Sequence, residues 1–168
     1  AEYQVVCANV EALNGAIDPL EYTIVTLGGV DIGFVGVVDT DGGGRPLGGK
    51  SSYVNYTFTS DVDTAYEAYG EVAAKCDFVV LLSHMGRGAD ERLVKRGASY
   101  DWIAGGHSHD LLSADREGVH ISQNNKNLRY VTVADIEVCD GEIVGVAYEQ
   151  LKTSEFAPDE AMVARVEE

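Results

Sequence analysis

Two short stretches decide the fold, FVVLLSHMG at residues 78–86 and DWIAGGHSHD at residues 101–110. Each contains a run of apolar residues whose length and composition predict a strand buried on both faces. Each run then passes directly into a glycine-containing segment that carries histidine. We therefore expect neighbouring strands of an open α/β sheet, a fold in which ligands bind beyond the carboxyl ends of the strands.

The histidines of these segments are candidate metal ligands. His84 ends the first segment's strand, and His107 and His109 follow the second. Glycine lets the backbone turn sharply and approach closely, and in extended backbone alternate residues point to the same side. Neutral imidazole is a common ligand of zinc, manganese, iron and related ions. A His-x-His pair alone is as compatible with a structural role, but the third histidine at another strand end favours a metal site.

The rest of the chain alternates between strand and helix patterns. Apolar and β-branched runs predict further strands at residues 4–7, 22–27, 32–38, 119–123, 130–138 and 143–150. Apolar residues at a spacing of three to four, together with capping residues, predict helices at residues 61–75, 90–95 and 158–166. The Asp140-Gly141 pair predicts a hairpin between the last two strands. This order predicts a single α/β domain, with a mixed sheet followed by a β-hairpin.

The composition excludes some classes of partner. Twelve Lys and Arg residues stand against 28 Asp and Glu residues, which gives a net charge of −16. Such a surface repels a phosphate backbone, so we expect no nucleic-acid partner. No apolar run approaches the roughly 18 residues needed to cross a bilayer, so we expect no membrane partner. The charge is as compatible with an ordinary acidic protein as with adaptation to high salt.

The histidine segments resemble those of the calcineurin-like metallophosphoesterases, and specifically their branch of 5'-nucleotidases and 2',3'-cyclic-nucleotide phosphodiesterases. LSHMG at 82–86, followed by Asp90, is similar to the fourth metal motif of that branch, and GGHSH at 105–109 is similar to its final motif, GGHxH. Further segments that resemble the family are CANV at 7–10, GGVDIGFVGVVDTD at 28–41, GEIVGVAYEQL at 141–151 and APDEAMVARVEE at 157–168. The resemblance covers nearly the whole chain and implies the C-terminal part of the catalytic domain.

The resemblance implies a fold, a reaction and a set of ligands. The fold would be part of a four-layer α-β-β-α sandwich, and the reaction would be hydrolysis of nucleoside 5'-phosphates or cyclic nucleotides. His84 and His107 would bind one ion of a two-metal site and His109 the other. Residues 1–154 would be a partial catalytic domain, and residues 155–168 a linker helix toward a nucleotide-binding domain. Family members are often exported, which suggests a periplasmic or extracellular location.

Three motifs of the family are absent from this sequence, namely DxH, GDxxD and GNHE. By the resemblance, the residues of these motifs would lie upstream of Ala1. Two ions roughly 3.5–4 Å apart need anionic ligands between them to offset their repulsion, and three neutral imidazoles supply none. We therefore expect at most one weakly held divalent ion and no efficient catalysis by this chain alone. A missing partner sheet would leave an apolar face exposed, so we also expect homodimerisation or another compensating contact.

Two other functions remain open at this point. One is a non-catalytic role in metal binding or protein interaction. The other is nucleotide binding, because GRPLGGKS at residues 44–51 satisfies the phosphate-loop pattern GxxxxGK[ST]. That loop works only where a helix begins at the Lys-Ser pair, and the sequence that follows, SYVNYTFT at 52–59, is typical of a strand. The fourth histidine, His120, lies in an alternating strand and is expected to face solvent.

Overall fold

A computed structural model describes residues 3–40 and 44–167 of the chain. Over these ranges the strands are β1 (Val10–Ala12), β2 (Tyr22–Leu27), β3 (Val30–Val38), β4 (Tyr56–Phe58), β5 (Phe78–His84), β6 (Trp102–Gly105), β7 (Leu111–Arg116), β8 (Val119–Asn124), β9 (Tyr130–Cys139) and β10 (Glu142–Lys152). The α-helices are α1 (Asp61–Val72), α2 (Arg87–Lys95) and α3 (Glu160–Glu167). None of these helices, within the described ranges, is long and apolar enough to cross a membrane.

The central sheet has six strands in the order β2-β3-β5-β6-β8-β7. Strands β3, β5, β6 and β8 run parallel to their neighbours in this group, while β2 and β7 pair antiparallel at the two edges. The predicted α/β fold with a mixed sheet is therefore confirmed. Because the four inner strands are parallel, their carboxyl ends share one edge of the sheet, the edge at which open α/β sheets form ligand sites.

One face of the sheet carries the main hydrophobic core under α1 and α2. Val35, Leu81 and Ile103 come from three adjacent strands and are completely excluded from solvent, as is Leu93 of α2. The hydroxyl of Tyr100 donates to the carbonyl of Ala65 at 2.7 Å, which ties the segment before β6 to α1. The solid apolar run of β5 is thus explained by its position between a layer of helices and the structure on the opposite face.

The opposite face packs against the β9–β10 hairpin through a smaller apolar cluster that includes Phe78, Val80 and the half-buried Trp102. His120 lies on this side too, and the expectation that it faces solvent is wrong. Its ring is buried and stacks on the ring of Tyr148 in β10, with centroids 3.7 Å apart. The Nδ1 atom of His120 lies 2.7 Å from the carboxylate of Asp115. The alternating pattern predicts that His120 is exposed, but the β9–β10 hairpin covers it.

The same face is only partly covered at its other end. The segment around Val6 crosses the sheet at Gly36, where the Ala8 amide donates to the Gly36 carbonyl at 2.7 Å. Between this segment and the hairpin, Leu82 of the inner strand β5 remains 41% exposed. Some apolar surface is therefore open, as the missing-sheet argument anticipates. Dimerisation through this face stays a prediction.

The boundaries of the predicted elements differ from the observed ones for local reasons. Strand β3 begins two residues early because Val30 pairs with Leu27 across the Gly28–Gly29 turn. The strand predicted at residues 4–7 is wrong, since that stretch forms only an isolated bridge between Val6 and Leu20. Strand β7 was not predicted at all. Its sequence, LLSADR, alternates weakly and gains its order by pairing with β8.

The close approach at Gly36 gives a test of the packing. A Cβ atom added at Gly36 would overlap the backbone carbonyl of Val6, which cannot move aside as a flexible side chain could. We expect Gly36→Ala to lower the free energy of unfolding by about 2 kcal/mol, in the range of overpacked sites. Gly70→Ala is the matched control because it lies in α1 with open space around it. That variant should gain about 0.5–1 kcal/mol from helix propensity. Urea denaturation measures the stability of each variant. If Gly36→Ala is as stable as the wild type, the packing described at Gly36 is contradicted.

Candidate metal-binding edge

The sheet brings His84 and His107 together at the carboxyl edge of the parallel strands. His84 is the last residue of β5, and His107 lies in the loop after β6. Their ring centroids are 5.3 Å apart in an edge-to-face arrangement. Burial lowers the pKa of His84, and charge on His107 and, more weakly, on His109 lowers it further, while Asp39 acts in the opposite direction. A histidine with a lowered pKa stays neutral near pH 7, and neutral imidazole is the form that binds metals.

The backbone of the His-x-His loop differs from the expected one. His107 and His109 have φ angles of 73° and 59°, in the left-handed region that side-chain-bearing residues rarely adopt. The expectation that both histidines project from extended backbone is therefore wrong, and His109 lies exposed beside the pair. The expected role of glycine holds, since a Cβ at Gly106 would lie only 3.0 Å from Nδ1 of His84. Glycine at this position lets the second loop pass directly over the His84 ring.

A carboxylate that the sequence reasoning missed joins the two histidines. Asp39 follows β3, the third parallel strand that ends at this edge, and its side chain is almost completely buried. Its Oδ2 atom lies 3.9 Å from Nε2 of His107, and its backbone amide donates to the carbonyl of His84 at 3.1 Å. The signal was present in the sequence, because Asp39 comes directly after an apolar strand just as the histidines do. The position does not stand out in the sequence, because acidic residues are common throughout this chain.

A cleft of about 240 Å³ lies over these three residues and is bounded on one side by the glycine-rich loop. Pro46, Leu47 and Tyr53 line it, and the Tyr53 hydroxyl donates to the carbonyl of Leu47 at 2.9 Å. Residues Lys50–Tyr53 form a single turn of 3-10 helix, and strand β4 follows shortly after. The phosphate-loop interpretation of residues 44–51 is wrong, because no α-helix begins at the Lys-Ser pair to direct its amides at a phosphate. The loop instead forms a wall of the histidine cleft.

A buried carboxylate lies beneath the histidine loops on the helix-covered face. Asp90 of α2 is completely buried and accepts hydrogen bonds from the Ser83 hydroxyl at 2.5 Å and from the Gln123 side-chain amide at 3.4 Å. Burial raises the pKa of Asp90 to about 6, although both hydrogen bonds act in the opposite direction. The resemblance implies that Asp90 belongs to a metal motif, and the structure places it under the loops rather than in the cleft.

The donor set at this edge suits a divalent cation in chemistry but is incomplete in arrangement. Two imidazoles and one carboxylate are ligands that zinc, manganese and iron accept. Within residues 3–40 and 44–167, however, no group of three His, Cys, Asp or Glu side chains is arranged so that it could hold an ion. The separation of 3.9 Å between Asp39 and His107 is longer than adjacent ligands of one ion require. The edge therefore offers a partial set of ligands.

The raised pKa of Asp90 gives a test by stability. Between its ordinary value of 3.8 and about 6, the folded chain binds more protons at this site than the unfolded chain does. Stability contributed by this group is therefore present at low pH and is lost as the pH rises through this window. At 1.36 kcal/mol for each tenfold change in proton affinity, the full effect is about 3 kcal/mol. Urea unfolding of the wild type and of Asp90→Asn should show the variant gaining stability relative to the wild type between about pH 4 and pH 6. A difference that is the same at every pH would contradict the raised pKa.

Known proteins with a similar sequence or fold include a metallophosphoesterase and a 5'-nucleotidase precursor. No family model matches the chain. It is 29% identical over 143 residues to an uncharacterised metallophosphoesterase, YunD, of Bacillus subtilis, and the match covers 82% of this chain and 30% of YunD. Among solved structures, a 5'-nucleotidase precursor from Thermus thermophilus is 27% identical with a TM-score of 0.74, covering 97% of this chain and 36% of that one.

Two further structures share the fold at lower identity. The sulfate thiohydrolase SoxB of Thermus thermophilus is 24% identical with a TM-score of 0.75, and the match covers 96% of this chain and 30% of SoxB. A putative 5'-nucleotidase from Staphylococcus aureus is 18% identical with a TM-score of 0.77, and the match covers 99% of this chain and 36% of that one. The chain thus spans about a third of the length of these relatives. The similarity in sequence is to a metallophosphoesterase, and the similarity in fold is to 5'-nucleotidase structures and SoxB.

Proposed function

We propose that this chain serves the metal-dependent hydrolysis of phosphate esters, with nucleoside 5'-phosphates or cyclic nucleotides as the substrate class. The observation that carries the proposal is the approach of His84 and His107 at one edge of the sheet, 5.3 Å apart, with the carboxylate of Asp39 beside them. The relationship to a metallophosphoesterase and the fold shared with 5'-nucleotidase structures support the same class of reaction.

The residues of the edge would have different roles in binding metal. His84 and His107 would bind one divalent ion, such as zinc, manganese or iron, and the nearby Asp39 would add negative charge to an otherwise neutral pair. The exposed His109 would serve the second ion of a two-metal site. An ion held by His84 and His107 would supply Lewis-acid chemistry toward a phosphoryl oxygen and would lower the pKa of a nucleophilic water.

The charge of the chain makes the ion a requirement for substrate binding as well as for chemistry. The net charge is −16, and the lining of the cleft contains Asp39 but no lysine or arginine among the residues described there. A phosphate group brought to this cleft without a cation would meet a carboxylate and two imidazoles. We infer that phosphate esters bind only after the ion.

We further propose that the described residues alone hold at most one ion weakly and do not turn over substrate efficiently. Two closely spaced dications need several anionic ligands between them, and this edge offers one carboxylate. The non-catalytic alternative, a role in metal binding without hydrolysis, shares this ligand set. The two functions differ in whether the chain with its bound ion also binds a nucleotide, so the experiment measures nucleotide binding.

Titration of the chain with Mn²⁺ or Zn²⁺ by calorimetry, followed by addition of a nucleoside 5'-monophosphate, tests the proposal. We expect no more than one ion bound at the histidine edge, and nucleotide binding only in the presence of that ion. His84→Ala and His107→Ala should each weaken ion binding by at least about tenfold, because loss of a residue that only orients a ligand already costs that much. Each should also abolish ion-dependent nucleotide binding.

His120→Phe is the matched control, because it removes an imidazole from a distant site while a ring can still stack on Tyr148. Its ion affinity should equal that of the wild type. Ion binding without any nucleotide binding would favour the non-catalytic role. Rapid release of phosphate from the nucleotide by the wild type would support the reaction but contradict the proposed inactivity of the chain alone.

A further inference from the structure

A row of buried polar side chains links the two histidine-bearing loops from below. The Ser83 hydroxyl donates to Oδ1 of Asp90 at 2.5 Å, and the Gln123 side-chain nitrogen donates to Oδ2 of Asp90 at 3.4 Å. The Gln123 side-chain oxygen then accepts from the Ser108 hydroxyl at 2.8 Å. Ser83, Asp90 and Gln123 are each no more than 5% exposed. We call these four residues the Asp90 network.

Both ends of the Asp90 network adjoin the histidines. Ser83 immediately precedes His84, and Ser108 stands between His107 and His109. The two loops belong to different strands, and their histidine rings meet edge to face. The Asp90 network is a second connection between the loops, made through hydrogen bonds rather than through the rings.

The conformation of the second loop creates a need for such a connection. The left-handed backbone at His107 and His109 is unfavourable for residues with a side chain, so the loop relaxes unless other contacts hold it. Gln123 supplies one further contact, because its side-chain oxygen also lies 3.4 Å from the Asp110 amide. The Arg87 amide at the start of α2 supplies another by donating to the Ser108 hydroxyl at 3.1 Å.

The Asp90 network also packs closely against the end of β6. A Cβ atom at Gly105 would lie 2.8 Å from Oδ2 of Asp90 and 3.0 Å from Cγ of Gln123. At the first glycine of the GGHSH segment, the Asp90 network fills the space that a side chain would need. At the second, Gly106, the His84 ring fills that space. The strand end is held from both faces at once.

We propose that Asp90 and Gln123 are positioning residues that fix the His84 ring relative to the His107 ring, and through that arrangement set the metal affinity of the edge. Neither touches the cleft, and both act through the serines that neighbour the histidines. The part of this inference that concerns metal rests on the proposed function. The part that concerns ring geometry does not, because it applies to the metal-free chain.

The pattern of donors and acceptors in the Asp90 network allows a test that preserves shape. In Asp90→Asn, an amide nitrogen would face the donating nitrogen of Gln123. Either the bond between them is lost, or the Gln123 amide turns over and its oxygen no longer accepts from the Ser108 hydroxyl and the Asp110 amide. In Gln123→Glu, two carboxyl groups would face each other and repel when both are ionised, so the variants are compared at about pH 8, above the raised pKa of Asp90. The double variant Asp90→Asn/Gln123→Glu reverses the direction of that bond, because the asparagine now donates to the glutamate. It also keeps an acceptor for Ser83 and an acceptor for Ser108.

Two measurements on the full chain follow from this pattern. In the metal-free state, the nuclear Overhauser contact between the His84 and His107 rings should be present in the wild type, lost in each single variant and restored in the double variant. The affinity for Zn²⁺ should fall by about tenfold or more in each single variant, as for other residues that orient metal-binding histidines, and should return to near the wild-type value in the double variant.

Asp101→Asn is the matched control. Asp101 is a carboxylate at the opposite end of β6 that accepts a hydrogen bond from the Val79 amide at 2.7 Å. Asparagine keeps an oxygen that can accept this bond, so the variant removes a carboxylate far from the cleft and should leave the ring geometry and the Zn²⁺ affinity unchanged. Ser108→Ala gives a variant at an exposed position, which keeps the test available if a buried substitution prevents folding. It should weaken the ring contact in the same direction.

The proposal is overturned if the folded single variants and Ser108→Ala keep both the ring contact and the wild-type affinity. It is also overturned if the double variant, though folded, behaves no better than the single variants. A wild-type chain that binds no Zn²⁺ at the histidines would instead defeat the proposed function, and the ring contact would still decide whether the Asp90 network positions the two loops.

Discussion

The parallel pairing of β3, β5 and β6 is the constraint on which the site depends. Strands that run in the same direction deliver whatever follows them to one edge of the sheet. Asp39, His84 and His107 come from three separate parts of the sequence, and this pairing brings them to one cleft. The hydrogen bond from the Asp39 amide to the His84 carbonyl extends the β3–β5 pairing to the edge itself. An antiparallel arrangement of the same strands would have separated these side chains.

A closely packed apolar layer lies directly beneath the edge and supports it. Left-handed histidines and a buried carboxylate are each unfavourable in isolation. Their neighbours one turn or one pleat away include Leu81, Ile103 and Leu93, all completely buried. These side chains hold β5, β6 and α2 in fixed positions, so the polar groups above them meet partners rather than water. The favourable free energy of packing in the core thus offsets the unfavourable free energy of these polar groups.

Much of the fold and part of the site could be predicted from the sequence. The apolar runs of β5 and β6 were readable because they are continuous, and the histidines after them marked the edge. Other features depended on tertiary contacts that no local pattern records. The left-handed backbone at His107 has no sequence signal, since the residue there is not glycine. The burial of His120 results from a hairpin that arrives some thirty residues later in the chain. Asp39 obeyed the same strand-end rule as His84, but one acidic residue among 28 does not stand out.

The acidity of the chain gives the edge a particular dependence on its surroundings. Charges separated by more than about 8–10 Å are largely screened at moderate ionic strength, whereas contacts within a buried cleft are screened much less. Added salt would therefore weaken the long-range repulsion between a net charge of −16 and an anionic ligand. It would leave almost unchanged the short-range repulsion from the buried Asp39 carboxylate. On the proposed function, a cation bound by His84 and His107 beside Asp39 would offset this short-range repulsion, so the occupancy of the metal, rather than the salt concentration, would decide whether a phosphate ester enters the cleft.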